Sequence, residues 1–590
     1  MPLRFTETFW NENGRNLRKP DLICLRQDPA FYNILLFQPH GDIDYENTGI
    51  WFTDNEVANT KFNLFFNKAI EHNVDLALTP EYSCPFSIIH GLLAENKTPS
   101  EGRIWAIGCQ SISPPALTTF IQNHPEVVWI YDQALLAASQ NVPDRFFDPA
   151  CLIFKTKNTE NQLVTVVIVQ FKTMFFGGDG MEWEQENLIQ GEINYVVSNQ
   201  YASTKLVVLL CSDTLEDPNF NSIQEGYFQN SPLLLIHLQL NQKPFQNNYK
   251  NYRNLIFSKG EKDANKEVIC LNWARNVTCP KLDRPWNKYG GSAFYIKSET
   301  INTEDLHLNN NHKKGLYYTN WYVKRSHICF LNYDEHVFLI RNTKPSQING
   351  DPTQARRAGP IVTAVFDWHN NSWRDLQSVS DGFCDLCTTI EGEYGDLSCI
   401  KNLANYIEAE RLIELSLGKF VNNKKWYETR NLTGLLVDDN EFNDRLNFDH
   451  DPDRPAKERR SQKIVDYAHI KHSILPKQDK LPVFLRDAVL GYDEHLERPY
   501  KFLLNLHSTT SRHKGTGVFI GVSTPQKAKI VRSRVEGLFE EDQQRQLVVV
   551  WYYHTNGLEM ETDEASKPKI SQNVEHPPTS YKAGKKNETH

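Results

Sequence analysis

The sequence predicts an α/β protein with a smaller α+β region on its C-terminal side. Between residues 31 and 345, short apolar runs alternate with amphipathic stretches, the pattern of strands connected by helices. Beyond about residue 375 this alternation stops, and a helical pattern, a charged segment and two late β-rich runs follow. At 590 residues the chain is too long for one hydrophobic core, so roughly three or four domains are expected, or fewer if one of them is a large α/β unit.

Ten apolar runs are predicted to be the strands of this α/β region, because they are short and rich in β-branched residues. In chain order they are YNILLFQP, DLALTPE, WAIGCQSI, ACLIFKTK, LVTVVIVQF, KLVVLLCSD, PLLLIHLQL, EVICLNWA, GSAFYIKS and HICFLNY. Between the first two, apolar residues such as Phe62, Phe65 and Phe66 recur at helical spacing, which predicts a βαβ unit. The long connection over 113–149 contains PEVVWIYDQALLAAS, which is expected to form an added helix.

The same patterns divide the chain into five segments. We expect an N-terminal extension over 1–30, an α/β domain over 31–345, a linker or sheet extension over 346–375, a C-terminal α+β domain over 376–560 and a disordered tail over 561–590. In the C-terminal domain, IKNLANYIEAERLIEL is expected to be helical, LLVDDNEFNDRLNFDHDPDRPAKERRSQ to be a charged loop, and GTGVFIGVS and QLVVVWYYH to be strands.

Charge and composition exclude several classes of function. The formal net charge of −9 and the pI near 6.1 argue against a protein that binds nucleic acid or an anionic membrane. The longest apolar runs are too short to span a bilayer, and the first residues lack the apolar segment of a secretory signal. The eleven cysteines are scattered and odd in number, which indicates free thiols in a reducing cytosol. A cytoplasmic protein is therefore expected.

Three reactive side chains stand where predicted strands end: Glu81, Lys172 and Cys211. In open α/β folds this edge of the sheet binds ligands. A thiol is a strong nucleophile only once it is deprotonated; Glu81 can accept that proton, and Lys172 can stabilise the thiolate and the oxyanion that follows. The backbone N–H of Ser212 is a natural second oxyanion donor. The set predicts attack by the thiol on a carbonyl or nitrile carbon.

The order and context of these residues resemble the carbon–nitrogen hydrolase (nitrilase) superfamily over roughly residues 31 to 345. The resemblance rests on LLFQP, LALTPE, ACLIFKTKNTENQLVTVVIVQFK, LLCSD, EVICLNWARN and GGSAFYI. It implies a four-layer αββα sandwich, a Glu, Lys and Cys triad, and a homodimer or higher homo-oligomer that associates through its helical layer. It implies no metal and no organic cofactor.

The resemblance also implies a second active-site glutamate between the lysine and the cysteine, about seven residues before a glycine. In MEWEQENLIQGE the glycine is Gly191, so Glu184 is the best match, with Glu182 and Glu186 left as alternatives. Tyr82, beside the predicted base, and Ser212, beside the predicted nucleophile, are the expected substrate-binding residues. The Ser-Asp pair after the cysteine is closer to amidase-like branches than the Trp-Glu of nitrilases, which favours a small-molecule amide as substrate.

The sequence therefore predicts a thiol amidohydrolase, with two alternatives left open. One is a regulatory protein in which the nitrilase-like domain senses a small molecule and the C-terminal domain binds a protein partner. The other is an acyltransferase that uses the same thioester. As the activated nucleophile, Cys211 is expected to be the thiol that iodoacetamide modifies first.

Three further patterns are read as structural. Cys384, Cys387 and Cys399 lack a properly spaced fourth zinc ligand and are expected to be ordinary thiols. The acidic residues between 438 and 453 miss the spacing of a calcium loop and are expected to be solvated. The segment HSTTSRHKGTG (507–517) fails the spacing of a phosphate-binding loop and is expected to be a hairpin or loop.

Overall fold

The computed structural model divides the chain into two compact units. The first comprises Met1–Asn302 and Asn310–Val379, and the second Thr303–Asn309 and Ser380–His590. The residues whose structure is described are 3–5, 10, 16–26, 31–176, 182–201, 204–214, 232–242, 247–258, 266–282, 286, 291–298, 301–302, 304–321, 326–343, 359–382, 384, 387–388, 390–391, 397, 436–437, 461, 464–466, 468–477, 481–485, 488–491, 503–508, 516–537 and 547–563.

The described residues form strands and helices throughout the first unit and in part of the second. The strands are β1 Leu3–Phe5, β2 Phe31–Gln38, β3 Ile43–Glu46, β4 Gly49–Phe52, β5 Leu76–Cys84, β6 Ile104–Cys109, β7 Val128–Ile130, β8 Pro149–Lys157, β9 Leu163–Phe171, β10 Asn194–Ser198, β11 Lys205–Leu210, β12 Leu233–Leu238, β13 Lys266–Leu271, β14 Ala293–Lys297, β15 Leu316–Trp321, β16 Ser326–Leu331, β17 His336–Thr343, β18 Ile361–His369, β19 Ser372–Asp375, β20 Leu436–Val437, β21 Ala488–Gly491, β22 Leu503–Ser508, β23 Thr516–Val522, β24 Val548–His554 and β25 Gly557–Glu561. The α-helices are α1 Asn55–Glu71, α2 Phe86–Ala94, α3 Pro114–Gln122, α4 Gln133–Ala138, α5 Glu182–Asn187, α6 Asn247–Ser258, α7 Asp305–Lys313 and α8 Pro525–Glu536.

Two large sheets make up the first unit. Sheet I has the strand order β19-β18-β17-β2-β5-β6-β8-β9-β7, with β2, β5 and β6 parallel. Sheet II, within the first unit, has the order β1-β10-β11-β12-β13-β14-β16-β15, with β11, β12 and β13 parallel. Gln170 of β9 joins the two sheets: its Nε2 donates to Val208 O at 2.6 Å, and its Oε1 accepts from Tyr195 N at 3.1 Å. The carboxyl ends of parallel strands in each sheet supply the candidate site.

Helix α1 covers one face of sheet I, as its apolar spacing predicts. Asp54 caps the helix by accepting a hydrogen bond from Val57 N. The buried face presents Phe62, which packs edge-on against Phe37 of β2 with ring centroids 4.9 Å apart, and Phe66, which packs against Trp105. Full burial of one such side chain contributes about 1.5–3 kcal/mol, so this aromatic layer anchors the helix to the sheet.

The α/β class and the βαβ unit formed by β2, α1 and β5 are confirmed. Each of the ten predicted runs contains a strand. The helix expected within 125–139 is wrong in part, because Val128–Ile130 is a strand that pairs with β9 and only Gln133–Ala138 is helical. β-branched and aromatic residues suit the sheet edge, and Asp132 starts the helix by accepting from Leu135 N.

Strands β18 and β19, which fall within the segment expected to be a linker or sheet extension, extend sheet I beyond β17. In the second unit, the runs GTGVFIGVS and QLVVVWYYH contain β23 and β24, a parallel pair. They belong to a sheet of order β21-β22-β23-β24-β25, against which Ala528 and Val535 of α8 pack.

Several predictions concern residues outside the described ranges. They are the helix in IKNLANYIEAERLIEL, the acidic segment over 438–453, most of 507–517, and the tail beyond residue 563. Among the described helices, none has the length and apolarity needed to cross a membrane.

Candidate active site

Glu81 is presented by an irregularity near the end of β5. The pairing of β5 with β6 shifts register between Thr79 and Cys84, which displaces the Pro80–Glu81 backbone toward Gly108. A Cβ at Gly108 would lie 2.1 Å from Pro80 O, so only glycine permits this approach. The carboxylate is then oriented by Leu240 N, which donates to Oε2 at 2.7 Å. The side chain is 1% exposed.

The other carboxylate oxygen of Glu81 faces Lys172. Lys172 Nζ lies 2.8 Å from Glu81 Oε1, 2.6 Å from Glu184 Oε1 and 3.8 Å from Asp148 Oδ2. Within the described residues, Glu81 Oε1 accepts no well-aligned hydrogen bond. The buried Lys172 ammonium is thus shared by three buried acidic side chains.

Glu184 is the glutamate that the structure brings to Lys172, whereas Glu182 and Glu186 are exposed. Glu184 Oε1 also accepts from the Tyr82 hydroxyl at 2.9 Å, and Oε2 accepts from Phe176 N at 3.1 Å. The Glu184 carboxylate therefore accepts from the Lys172 ammonium, the Tyr82 hydroxyl and the Phe176 N–H. Tyr82, expected to bind substrate, has its hydroxyl committed to this contact and holds a positive φ of 56°.

The short helix that carries Glu184 is fixed by aromatic packing. Trp183 stacks on Tyr45 with ring centroids 4.6 Å apart and on Phe146 at 5.9 Å. Gly191, which follows the helix, donates its N–H to Lys172 O at 2.7 Å. These contacts link the helix both to the hairpin β3–β4 and to the end of β9.

Cys211 sits in a strained turn directly after β11. Its φ is +29°, a conformation that costs a non-glycine residue energy and that is concentrated at functional sites. Residues Cys211–Thr214 form one turn of 3₁₀ helix. Asp213 Oδ1 accepts from Thr173 N at 2.7 Å, and its Oδ2 accepts from Leu210 N at 2.9 Å, so Asp213 ties this turn to the residue after Lys172.

Ser212 and His237 hold the same turn from other sides. The Ser212 hydroxyl donates to Met174 O at 2.5 Å, so its side chain is not directed to a substrate. His237 Nε2 lies 2.9 Å from Cys211 O, and Nδ1 lies 2.6 Å from the Tyr252 hydroxyl. Burial lowers the pKa of His237 to about 3, so the ring is neutral. Because a carbonyl only accepts, Nε2 carries the hydrogen and Tyr252 donates to Nδ1.

The charge on Lys172 is strongly favoured. Burial acts to lower its pKa, but Glu184, Glu81 and Asp148 outweigh burial and raise that pKa well above its ordinary value. Burial and the charge of Glu81 raise the pKa of Asp148 well above its ordinary value, which favours the neutral acid there. Lys172 is therefore a permanent cation at any pH near neutrality.

Cys211 is a thiol, and not a thiolate, in the resting site. Burial and the charge of Glu81 raise its pKa well above the ordinary value, against the opposing effects of Lys172 and Tyr249. Cys211 is buried, with only 3% of the residue exposed, whereas Cys384 is exposed. The expectation that iodoacetamide modifies Cys211 first is therefore not favoured, since both access and thiolate fraction are low there. Activation requires a base at the moment of reaction.

A small cleft opens onto these groups. The side chains that line it are Glu81, Tyr82, Lys172, Phe176, Glu184, Cys211, Leu240, Asn241, Gln242 and Trp286. Apolar walls with a few convergent polar groups are the usual composition of a ligand site.

Asp148, His237 and Tyr249 are polar residues around the site that were not identified from the sequence. Asp148 immediately precedes β8, where an acid before an apolar run was a usable signal. His237 is the one polar residue inside β12. Tyr249 forms a spaced pair with Tyr252 on α6, and its hydroxyl lies 3.4 Å from Cys211 Sγ. Nothing local in the sequence connects these residues to Cys211.

The part of the chain that the structure describes contains no cluster of three or more His, Cys, Asp or Glu side chains arranged to hold a metal ion. Cys384 is exposed and Cys387 is buried, and Cys399 lies outside the described residues.

No family model and no curated protein matches the chain. It is similar to solved structures that include nitrilase-superfamily members, the family its motifs resemble. A glutamine-dependent NAD⁺ synthetase from Acinetobacter baumannii shares 10% identity at a TM-score of 0.30; the match covers 66% of this chain and only 53% of the synthetase. Nit3 of Saccharomyces cerevisiae, a member of branch 10 of the superfamily, shares 14% identity at a TM-score of 0.27, over 46% of this chain and 84% of Nit3.

An amidase from Nesterenkonia shares 13% identity at a TM-score of 0.26, over 46% of this chain and 84% of the amidase. All three TM-scores lie below 0.5, so these matches carry no inference about function.

Proposed function

We propose that the first unit is a nitrilase-type carbon–nitrogen hydrolase that cleaves a small-molecule amide through a thioester on Cys211. The observation that carries the proposal is the Lys172 ammonium, held 2.8 Å from Glu81 and 2.6 Å from Glu184 in the cleft that Cys211 lines. A buried base, a buried cation and a strained cysteine in one cleft are the parts that acyl transfer to a thiol requires.

In the proposed first half-reaction, Glu81 Oε1 accepts the proton of Cys211 as the sulfur attacks the amide carbon. The carbonyl electron pair moves to oxygen, where Lys172 and the backbone N–H of Ser212 stabilise the negative charge. When the tetrahedral intermediate collapses, Glu81 returns the proton to the leaving amine. Glu184 does not transfer a proton in this scheme; it keeps Lys172 charged and in place.

In the second half-reaction, Glu81 activates a water molecule that attacks the thioester carbon, and the thiol leaves with the proton. One carboxylate thus serves as base and then acid in both halves. The fixed hydrogen bond from Leu240 N to Glu81 Oε2 supports this role, because it holds the carboxylate with Oε1 against the Lys172 ammonium in the cleft that Cys211 also lines.

The proposal extends to architecture. We infer a four-layer αββα sandwich in which α1 and α2 cover sheet I and α6 covers sheet II, with association of two or more copies through a helical layer. The burial of Phe62 on the sheet I side and of Tyr249 on the sheet II side supports helices on both outer faces. A protein partner for the C-terminal region stays a proposal of the same kind.

The direct test is release of ammonia or amine from a panel of small primary and secondary amides by the full chain. Cys211→Ala is the matched variant, with a thermal melt to verify that it folds. Release by wild type that is abolished in folded Cys211→Ala supports the hydrolase. Equal release by the two proteins would overturn the proposal.

A further inference from the structure

We propose that Tyr249 is a further catalytic residue, whose hydroxyl donates a hydrogen bond to the Cys211 sulfur as that sulfur becomes a thiolate. The inference rests on the proposed role of Cys211 as nucleophile and deepens it. Its first support is geometric: Tyr249 OH lies 3.4 Å from Cys211 Sγ, a hydrogen-bonding distance for sulfur, and the residue is 0% exposed.

The surroundings leave Tyr249 directed at the nucleophile. The residue lies in the first turns of α6, and its ring packs near His237 with centroids 6.2 Å apart. One helical turn later, Tyr252 reaches Nδ1 of the same histidine, which holds the Cys211 carbonyl. Helix α6 therefore supports Cys211 at two points. Tyr252 holds His237 against the Cys211 carbonyl, and Tyr249 contacts the Cys211 sulfur.

The bond between phenol and sulfur changes strength during the reaction. While Cys211 is a thiol, either group can be the donor, and the contact is a weak neutral hydrogen bond. Once the proton has moved to Glu81, only the Tyr249 hydroxyl can donate, and the bond becomes charge-assisted. Burial raises the pKa of Tyr249 well above its ordinary value, so the phenol keeps its proton throughout. Tyr249 thus stabilises the thiolate more than the thiol.

The proton and electron balance requires no extra reactant. The S–H bond of Cys211 breaks as the O–H bond of Glu81 forms, and the sulfur lone pair forms the S–C bond. The Tyr249 O–H bond remains intact in every step. As negative charge leaves sulfur for the carbonyl oxygen, the charge-assisted bond weakens and Lys172 becomes the main partner of the charge. Tyr249 accordingly acts before and during attack, and Lys172 after it.

The test is the rate at which a small electrophile, iodoacetamide, modifies Cys211 in the full chain, followed by peptide mapping from about pH 6 to 9. Loss of a hydrogen bond to the thiolate should lower the acidity of the Cys211 thiol, and so its thiolate fraction, by about 10- to 100-fold. The less acidic thiolate is a stronger nucleophile, which offsets about half of this loss in rate on a logarithmic scale. Tyr249→Phe should therefore slow Cys211 modification about 3- to 10-fold at each pH. Loosened packing would do the opposite, because it would expose the sulfur.

Tyr317→Phe is the matched control. Tyr317 is a tyrosine of sheet II that is 1% exposed, and its hydroxyl accepts from Asn332 Nδ2. This variant should leave the Cys211 rate unchanged. If Tyr249→Phe fails to fold, 3-fluorotyrosine at position 249 replaces it: a more acidic phenol is a better donor, so Cys211 modification should accelerate.

An unchanged or faster rate in folded Tyr249→Phe, an unchanged rate with 3-fluorotyrosine, or equal slowing in Tyr317→Phe would overturn the assignment. No amide is needed, so the outcome is separate from that of the hydrolase test. Slowing by Tyr249→Phe in a protein that cleaves no amide would retain this inference and reject the proposed function.

Discussion

Replacing Lys172 by methionine removes the cation that contacts a buried group of acids, and the effect of this change on stability should depend on pH. At the observed 2.8 and 2.6 Å, each ion pair attracts by about 6 kcal/mol at an effective dielectric constant of about 20. Most of that attraction offsets the cost of burying the charges. Removing one partner of such a group is expected to cost about 3–5 kcal/mol, since the remaining carboxylates are left uncompensated.

The pH dependence follows from the carboxyl groups that remain. Without Lys172, burial and mutual repulsion should raise the folded-state pKa values of these acids above their unfolded value of about 4. The folded variant then binds protons that the unfolded chain releases. Its stability is therefore greatest below about pH 4 and falls as the pH rises through the raised folded-state pKa values. At about 1.4 kcal/mol per pKa unit, the deficit relative to wild type should be about 1 kcal/mol at pH 5 and about 3–5 kcal/mol at pH 8.

Urea denaturation of wild type and Lys172→Met at pH 5 and pH 8 measures this difference. Lys155→Met is the control, because Lys155 of β8 is only partly buried and contacts the amide Asn96 at 3.2 Å. Its small cost should be the same at both pH values. An equal deficit of Lys172→Met at pH 5 and pH 8 would refute the electrostatic account and reduce Lys172 to a packing residue.

Three other predictions follow from the site and the sequence. Glu81→Gln should lower amide turnover by about 10²–10⁴ by removing the proton acceptor, while Glu186→Gln, an exposed change on α5, should leave turnover unaltered in the same kinetic assay. Peptide mapping after brief iodoacetamide treatment at pH 7 should find exposed Cys384 modified before buried Cys211; the reverse order would contradict the raised pKa of Cys211. Light scattering should give at least twice the 68.3 kDa chain mass, and a monomer at micromolar concentration would argue against association through a helical layer.

Ten strands of the first unit could be predicted from the sequence because their apolar runs are short, β-branched and bounded by polar residues. The same rule misread 128–130, where the short edge strand β7 and the helix α4 follow each other with only two residues between. Local patterns cannot separate an amphipathic helix from a strand and helix of this length. Pairing with β9 decides the structure there, and that pairing is a long-range contact.

The residues of the candidate site also divide into those that local sequence patterns indicate and those that depend on long-range contacts. Glu81, Lys172 and Cys211 could be predicted together because each ends a predicted strand, at the edge where ligands bind, and the three side chains line one cleft. Glu184 could not be separated from Glu182 and Glu186 by spacing alone, since the distinction is burial, which depends on the stacking of Trp183. Tyr249 could not be found at all, because its contact with Cys211 joins residues 38 positions apart.

The most direct measurement of the central claim is the mass of the protein after rapid acid quenching during turnover of a reactive amide. The thioester mechanism predicts an added acyl group on the tryptic peptide that contains Cys211, and this group should be released by hydroxylamine and be missing from folded Cys211→Ala. A wild-type protein that turns over amide without any adduct on Cys211, or with the adduct on another residue, would contradict the thioester mechanism and the site built around Lys172.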